Sequence, residues 1–153
     1  MHYNKPMWHL IQYKSLSLTQ LYNILQLRNA VFVVEQQCAY QDLDGIDQQS
    51  LHLFTHNTND NILAYCRIIP PGIVYPQASI GRVITANEVR RAGYGKQLML
   101  QAIQHCHSLY PNHDIKIGAQ LYLKHFYQHF GFEASSQVYL EDGIAHIHMV
   151  LKA

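Results

Sequence analysis

Charge is scarce in this chain. Only 14% of its 153 residues are Asp, Glu, Lys or Arg, well below the roughly 25% usual for soluble domains. The formal net charge is +1 with neutral histidines, so no broad basic face is available and a nucleic-acid binder is excluded. Cysteine is sparse too. Cys38, Cys66 and Cys106 are odd in number, far apart, and never form Cys-x-x-Cys. That excludes a disulfide framework and points to reduced thiols in the cytoplasm. No apolar run approaches the ~20 residues of a membrane span. Met1-His2-Tyr3-Asn4-Lys5-Pro6 leads straight into strand-like sequence, without the apolar core of a secretory leader. Repeats, linkers and low-complexity stretches are also missing.

What is present fits one α/β domain over residues 1–153. Hydrophobic residues make up 48%, enough for a core at this length, while Gln, Asn, Ser and His carry much of the surface polarity. Residues 8–13 read as a strand. Ser17-Leu18-Thr19-Gln20 is a capping box, Leu16 and Leu21 can staple it, and the helix runs on through Leu25, Arg28, Val31 and Phe32. A polar stretch from about Glu35 to Gln49 reads as loop with a short helix. Leu51–Thr55 and Ile62–Ile69 form a hairpin around Asn57, Asn59, Asp60 and Asn61, and Pro70-Pro71-Gly72 ends its second strand. A strand over 79–85, a helix over 96–108, a strand over Ile115–Gly118 and a helix over 121–130 then alternate. Strands near 132–140 and 144–151 close the chain around the turn Glu141-Asp142-Gly143. This order predicts a parallel centre with antiparallel flanks.

Eleven histidines raise the question of a metal. His125 and His129 lie one helical turn apart, and His105/His107 and His146/His148 stand at i, i+2. Zinc needs three or four converging ligands; no His-Glu-x-x-His or mixed Cys/His spacing supplies them, and no metal is expected. Asp42, Asp44 and Asp47 resemble a calcium loop only faintly, with the glycine misplaced and the closing Glu absent. They read as an acidic rim suited to a cationic acceptor, or equally as a solvated loop.

The most informative segment is Arg90-Arg91-Ala92-Gly93-Tyr94-Gly95-Lys96, between a strand and a helix. Glycines at a helix start let backbone N–H groups approach an anion. The first helical amides are unpaired and the helix dipole adds positive charge; Arg90, Arg91 and Lys96 add more. No Gly-Lys-Ser/Thr follows, and the three-glycine dinucleotide spacing is absent. The second segment is Gln120-Leu121-Tyr122-Leu123-Lys124-His125-Phe126-Tyr127-Gln128-His129-Phe130-Gly131-Phe132. Leu123, Phe126, Tyr127 and Phe130 form one apolar helix face, with Gly131 as its stop.

Together these segments resemble the pyrophosphate loop and the tyrosine-bearing helix of the GNAT acetyltransferases. Arg28-Asn29-Ala30-Val31-Phe32-Val33-Val34-Glu35-Gln36, the run from Tyr40 to Asp47, His52, and Glu141-Asp142-Gly143-Ile144-Ala145-His146-Ile147 look like the ElaA-like branch of that superfamily. The resemblance covers about residues 7–151. It implies the GNAT fold: a mixed, mostly antiparallel central sheet of six to seven strands flanked by helices, with a splayed parallel pair at the centre. It implies an acyl-CoA-dependent N-acyltransferase moving acetyl from acetyl-CoA to a small-molecule or peptide amine. Residues 90–96 would hold the pyrophosphate, and Gln120, where many relatives carry Asn, would touch the cofactor. Backbone groups near Val83 and Ile84 would pair with the pantetheine arm, one amide polarising the thioester carbonyl. Gly81 would either relieve crowding there or form a bulge.

Acyl transfer to an amine also needs an acid for the leaving thiolate and a base for the ammonium. By the resemblance Tyr127 is the acid. Glu35, beside the acceptor side in this fold, is the first candidate base, with His52, His146 and a water chain as alternatives. A non-catalytic acetyl-CoA sensor on the same fold is the competing reading. Acceptor identity stays open, as does the choice between monomer and homodimer.

Overall fold

The structure is a computed structural model that describes residues 5–153; the reading of the first four residues lies outside them. One eight-stranded sheet organises the chain. Its strands are β1 (His9–Gln12), β2 (Leu51–His56), β3 (Ile62–Ile69), β4 (Ala78–Thr85), β5 (Ile115–Gln120), β6 (Glu133–Ala134), β7 (Tyr139–Glu141) and β8 (Ile144–Leu151). The order is β1-β2-β3-β4-β5-β8-β6, with β7 also paired to β8. Every pairing is antiparallel except β4 with β5. The expected parallel centre with antiparallel flanks is thus present. The 132–140 strand is broken into the short β6 and β7, which raises the strand count above the expected six to seven.

The helices are α1 (Leu18–Arg28), α2 (Tyr94–Leu109) and α3 (Lys124–Gln128). Ser17 caps α1 as expected: its Oγ accepts from the Gln20 amide at 3.0 Å, and Gln20 Oε1 accepts from the Ser17 amide at 2.9 Å. Beyond Arg28 the α-helix does not simply continue. Asn29–Glu35 widens into a π-helix, with the Gln36 amide donating to the Val31 carbonyl and the Cys38 amide to that of Val33. The β-branched Val31, Val33 and Val34 crowd a regular turn, and π turns recur at functional sites. Nor is 121–130 one helix: Leu121–Leu123 is a 3-10 turn feeding the five-residue α3.

Two apolar clusters lie on opposite faces of the sheet. The larger packs Leu98, Met99, Ala102 and Cys106 of α2, with Tyr127 and Phe132, onto Leu53, Cys66, Ile80, Ile117, Ile147 and Met149. Burial pushes the Cys106 thiol up to about 12, as expected of a core residue. The smaller cluster packs Ile24 of α1 and Val31 and Phe32 of the π segment against Phe54, Tyr65 and Ile84. Strand alternation divides β8 between these faces. Ile147 and Met149 enter the larger cluster, while His146 and His148 face the other side, opposite Gln120 and Gly118.

One feature of the sheet makes a site. β4 and β5 pair only at Ala78↔Ile115 and Ser79↔Lys116, then diverge. On its other edge β4 is bulged, because Tyr65 and Arg67 pair with Ile84 and Gly81 and leave Arg82 and Val83 opposite Cys66 alone. Arg82 takes φ +52°, rare for a non-glycine residue. Such bulges bend a strand. Gly81 is not the bulge residue, and a Cβ there would meet only ordinary contact, 3.8 Å from Arg67 Nε, so neither reading of Gly81 is needed.

Candidate active site

Below Ser79 the diverging strands open a cleft of about 1000 Å³. Its walls include β4 residues Ile80–Thr85, β5 residues Ile117, Gly118 and Gln120, and Tyr127 of α3. On the opposite side stand Phe32, Glu35 and Gln36 of the π segment and its end, and Glu141, Asp142 and His146 of the β7–β8 hairpin. The sequence-predicted residues Val83, Ile84, Arg90, Gly95, Gln120, Tyr127, Glu35 and His146 all line it. Arg91, Ala92, Gly93, Tyr94 and Lys96 form the adjacent loop and the first turn of α2, with Arg91 and Lys96 exposed.

The loop has the geometry of an anion cradle. Gly93 is the N-cap of α2 in the left-handed region, at φ +84°, and Arg91 is also left-handed at +67°. The amides of Tyr94, Gly95 and Lys96 begin the helix and have no carbonyl one turn earlier to bind. At the cleft wall, β4 residues beyond Ser79 have backbone groups facing β5 without a strand partner.

Tyr127 is 6% exposed, and burial raises its pKa. Its hydroxyl makes no hydrogen bond to any described residue, and Tyr127 is among the residues that line the cleft. A core tyrosine normally finds a partner for its hydroxyl. This one keeps its proton at neutral pH.

The remaining expectations are redrawn. Glu35 and Arg90 engage each other: both carboxylate oxygens accept from the guanidinium, Oε2 from Nη2 at 2.7 Å. The hydrogen bond from Arg90 lowers the Glu35 pKa, which weakens the carboxylate as a base. Arg90 is correspondingly committed to that carboxylate. Gln120 is tied to Gln36 by a reciprocal amide pair at 3.1 and 3.2 Å. His52 lies outside the cleft, fully bonded between the Tyr65 hydroxyl at 2.7 Å and the Asp47 carbonyl at 2.9 Å; burial lowers its pKa, so it stays neutral as a structural residue.

The acidic rim is not a free negative surface. Asp42, Asp44 and Asp47 alternate with Arg28, Arg67 and Arg82 in a closed ring. Arg28 contacts Asp42 at 2.8 Å and Asp47 at 2.7 Å; Arg67 contacts Asp47 at 3.0 Å and Asp44 at 2.5 Å; Arg82 contacts Asp44 at 3.3 Å and Asp42 at 2.7 Å. Burial alone would raise the carboxyl pKa values, but the bonds from Arg67 to Asp44 and from Arg28 to Asp47 outweigh it and lower them. The ring is electrically neutral. Asp42 and Asp44 hold the side chain of Arg82, itself the left-handed bulge residue, so these ion pairs brace the deformation beside which β4 and β5 part.

Sequence reasoning did not single out the pairing of His146 with Glu141. The His146 Nδ1 donates to the Ile144 carbonyl at 2.7 Å, and Nε2 lies 3.5 Å from Glu141 Oε2. Tyr139 stacks on the imidazole with ring centroids 5.7 Å apart. Gly118 makes room for this arrangement, since a Cβ there would sit 2.9 Å from the Tyr139 hydroxyl. The i, i+2 spacing of His146 and His148 was the available signal, and it marks a strand face. Among the described residues no three His, Cys, Asp or Glu side chains converge as a metal site, and no helix is long and apolar enough to cross a membrane.

Residues 18–153 match the acetyltransferase (GNAT) domain family. The chain belongs to the GNAT acetyltransferases. Protein ElaA of Escherichia coli is 43% identical over 144 residues, 93% of this chain and 94% of that protein. A UPF0039 protein of Synechocystis is 39% identical over 145 residues, covering 95% and 94%. Among solved structures, an acyl-CoA N-acyltransferase from Pseudomonas aeruginosa superposes with a TM-score of 0.91 at 39% identity, over 97% of this chain and all of that one. The ElaA crystal structure gives 0.89 at 41%, over 95% and 99%. This GNAT chain is therefore an ElaA homologue on an acyltransferase fold.

Proposed function

We propose that this GNAT domain transfers the acetyl group of acetyl-coenzyme A to an amine. The observation that carries the reading is the cleft itself: a splayed parallel pair whose walls reach both the bare amides at the start of α2 and an unpartnered tyrosine hydroxyl. The Pseudomonas neighbour is an acyl-CoA N-acyltransferase, which supports the same chemistry. Free thiols at Cys38, Cys66 and Cys106 suit a reducing cytoplasm.

The residues fit coenzyme A. Amides of the 91–96 turn, with Arg91 and Lys96, would hold the pyrophosphate. Arg90 joins them by exchanging Glu35 for phosphate. Backbone groups of Val83 and Ile84 would pair with the pantetheine arm as an added strand does, and Gln120 would border it. When bound, acetyl-coenzyme A supplies an acyl thioester with an electrophilic carbonyl carbon and a thiolate leaving group. An amide of Val83 or Ile84 donates to the carbonyl oxygen as it gains charge. Tyr127 Oη gives its proton to the departing sulfur.

Acetyl-CoA should stabilise the fold in a thermal shift assay, by about 2.7 kcal/mol at a hundredfold excess over its dissociation constant. Gly93→Asp, which sets a carboxylate and a Cβ into the left-handed turn, should abolish that shift; an unchanged shift would remove the loop from the site. Binding without amine-dependent release of coenzyme A thiol would favour a sensor over an enzyme.

A further inference from the structure

We propose that the β7–β8 hairpin is the acceptor subsite, that it receives a cationic primary amine, and that His146 Nε2 is the base that deprotonates it, with Glu141 recruiting the ammonium. The inference rests on the acyl-transfer reading and names its acceptor class and base.

The hairpin is built for one geometry. Asp142 and Gly143 both have positive φ, +50° and +76°, the signature of a two-residue type I′ turn that fixes the register of its strands. That register sets Glu141 opposite Ile144 and Tyr139 opposite His146. The Ile144 carbonyl can only accept, so Nδ1 of His146 carries the proton. The neutral ring then has a bare lone pair on Nε2, the atom nearer the Glu141 carboxylate. Two constraints hold the imidazole in place, the Nδ1 hydrogen bond and the Tyr139 stack, and neither consumes Nε2.

The distribution of charge in the cleft selects the ligand. Asp44 and Arg82 are neutralised within the ring, and Glu35 is neutralised by Arg90. Glu141 and Asp142 are the lining carboxylates left without a Lys or Arg partner among the described residues. The acceptor wall therefore carries net negative charge at the hairpin and nowhere else. An ammonium entering there meets Glu141 and, 3.5 Å from that carboxylate, the proton acceptor it needs.

The protons balance. The ammonium's first proton passes to Nε2 and then to water. The C–N bond forms as the C–S bond breaks. The amine's second proton passes to water as that bond forms, and water returns one proton to the Tyr127 oxygen after it has protonated the sulfur.

The test has a spectroscopic and a kinetic arm, with butylamine, cadaverine and a lysine-containing tetrapeptide as probes. In 15N spectra of histidine-labelled wild-type protein, neutral His146 should show the Nδ1–H tautomer, and the amines should shift its resonances. The groups that face it are Glu141, Asp142 and Tyr139 across the hairpin and His148 on its own strand; Gln120 of β5 is uncharged. Glu141→Gln should raise KM for the amine more than it lowers kcat. His146→Gln should cut kcat by about 10²–10⁴-fold at neutral pH and recover part of that at high pH, where free amine is abundant. Both variants should keep wild-type affinity for acetyl-CoA by calorimetry. An Nε2–H tautomer, resonances indifferent to all three amines, transfer to none of them, or full kcat in His146→Gln would each overturn the proposal. A wild-type chain that does not bind acetyl-CoA overturns the acyl-transfer reading instead, while the imidazole spectra still decide the amine site.

Discussion

Glu35 and Arg90 show how a residue's partner decides its chemistry. A carboxylate at the acceptor side of an acyltransferase cleft is a reasonable base by position, and position was legible in sequence. Its partner was not, because the pair spans 55 residues and forms only when the π segment meets the 90–96 loop. Paired, Glu35 is a weaker base, and under the proposed function Arg90 would have to exchange it for phosphate. Both side chains are partly exposed, so the pair contributes little to stability, up to about 1 kcal/mol. Glu35→Gln should therefore move the urea midpoint only slightly, leave the pH–rate profile in place, and keep or improve acetyl-CoA affinity by freeing Arg90. Loss of the rising acid-side limb of that profile in this variant would return the base role to Glu35. Tyr127 is the converse case: its helix face was readable from spacing, and its free hydroxyl emerges only once the cleft is seen.

Elements carry the next layer. The capping box, the first hairpin and α2 follow local rules and were legible as such. The π segment, the 3-10 start of the last helix and the splitting of the strand after Phe132 were not, since each answers to packing beyond its own sequence. The least legible element is the Asp42–Asp47 loop, whose carboxylates look solvated until Arg28, Arg67 and Arg82 arrive from α1, β3 and β4. Asp47 bridges two buried guanidiniums. Asp47→Asn leaves both short of a counter-charge and should cost about 3–5 kcal/mol, read from urea unfolding. The sign of the pH effect follows from depressed carboxyl pKa values in the folded state. The stabilisation is full above the unfolded-chain value, about 4, and is lost as pH falls below it. Wild-type stability should thus drop steeply below about pH 4, and the drop should be shallower in Asp47→Asn. An equally steep drop in the variant would separate the ring from acid unfolding. In the second hairpin, Gly118→Ala should displace Tyr139, loosening its stack on His146 and lowering amine turnover while acetyl-CoA affinity holds.

At the scale of the whole molecule, the two apolar clusters fix a sheet, and one bulge braced by a neutral ring of charges opens it. The alternation of strands and helices made the parallel centre legible, and the resemblance to the GNAT acetyltransferases implied the splayed pair. The cleft's dual character was not, because its two halves come from opposite faces of the sheet. One half offers amides and a tyrosine proton, and the other offers a histidine and unpaired carboxylates. The proposed transfer from thioester to amine, with Tyr127 as the acid, would join the two. The most direct measurement is amine-dependent release of coenzyme A thiol by wild-type protein and by Tyr127→Phe, beside calorimetric affinity of each for acetyl-CoA. Affinity should be equal, and turnover in the variant should fall by about 10²–10⁴-fold. Full turnover in a folded Tyr127→Phe variant would contradict the role of Tyr127 and, with it, the transfer chemistry assigned to the cleft.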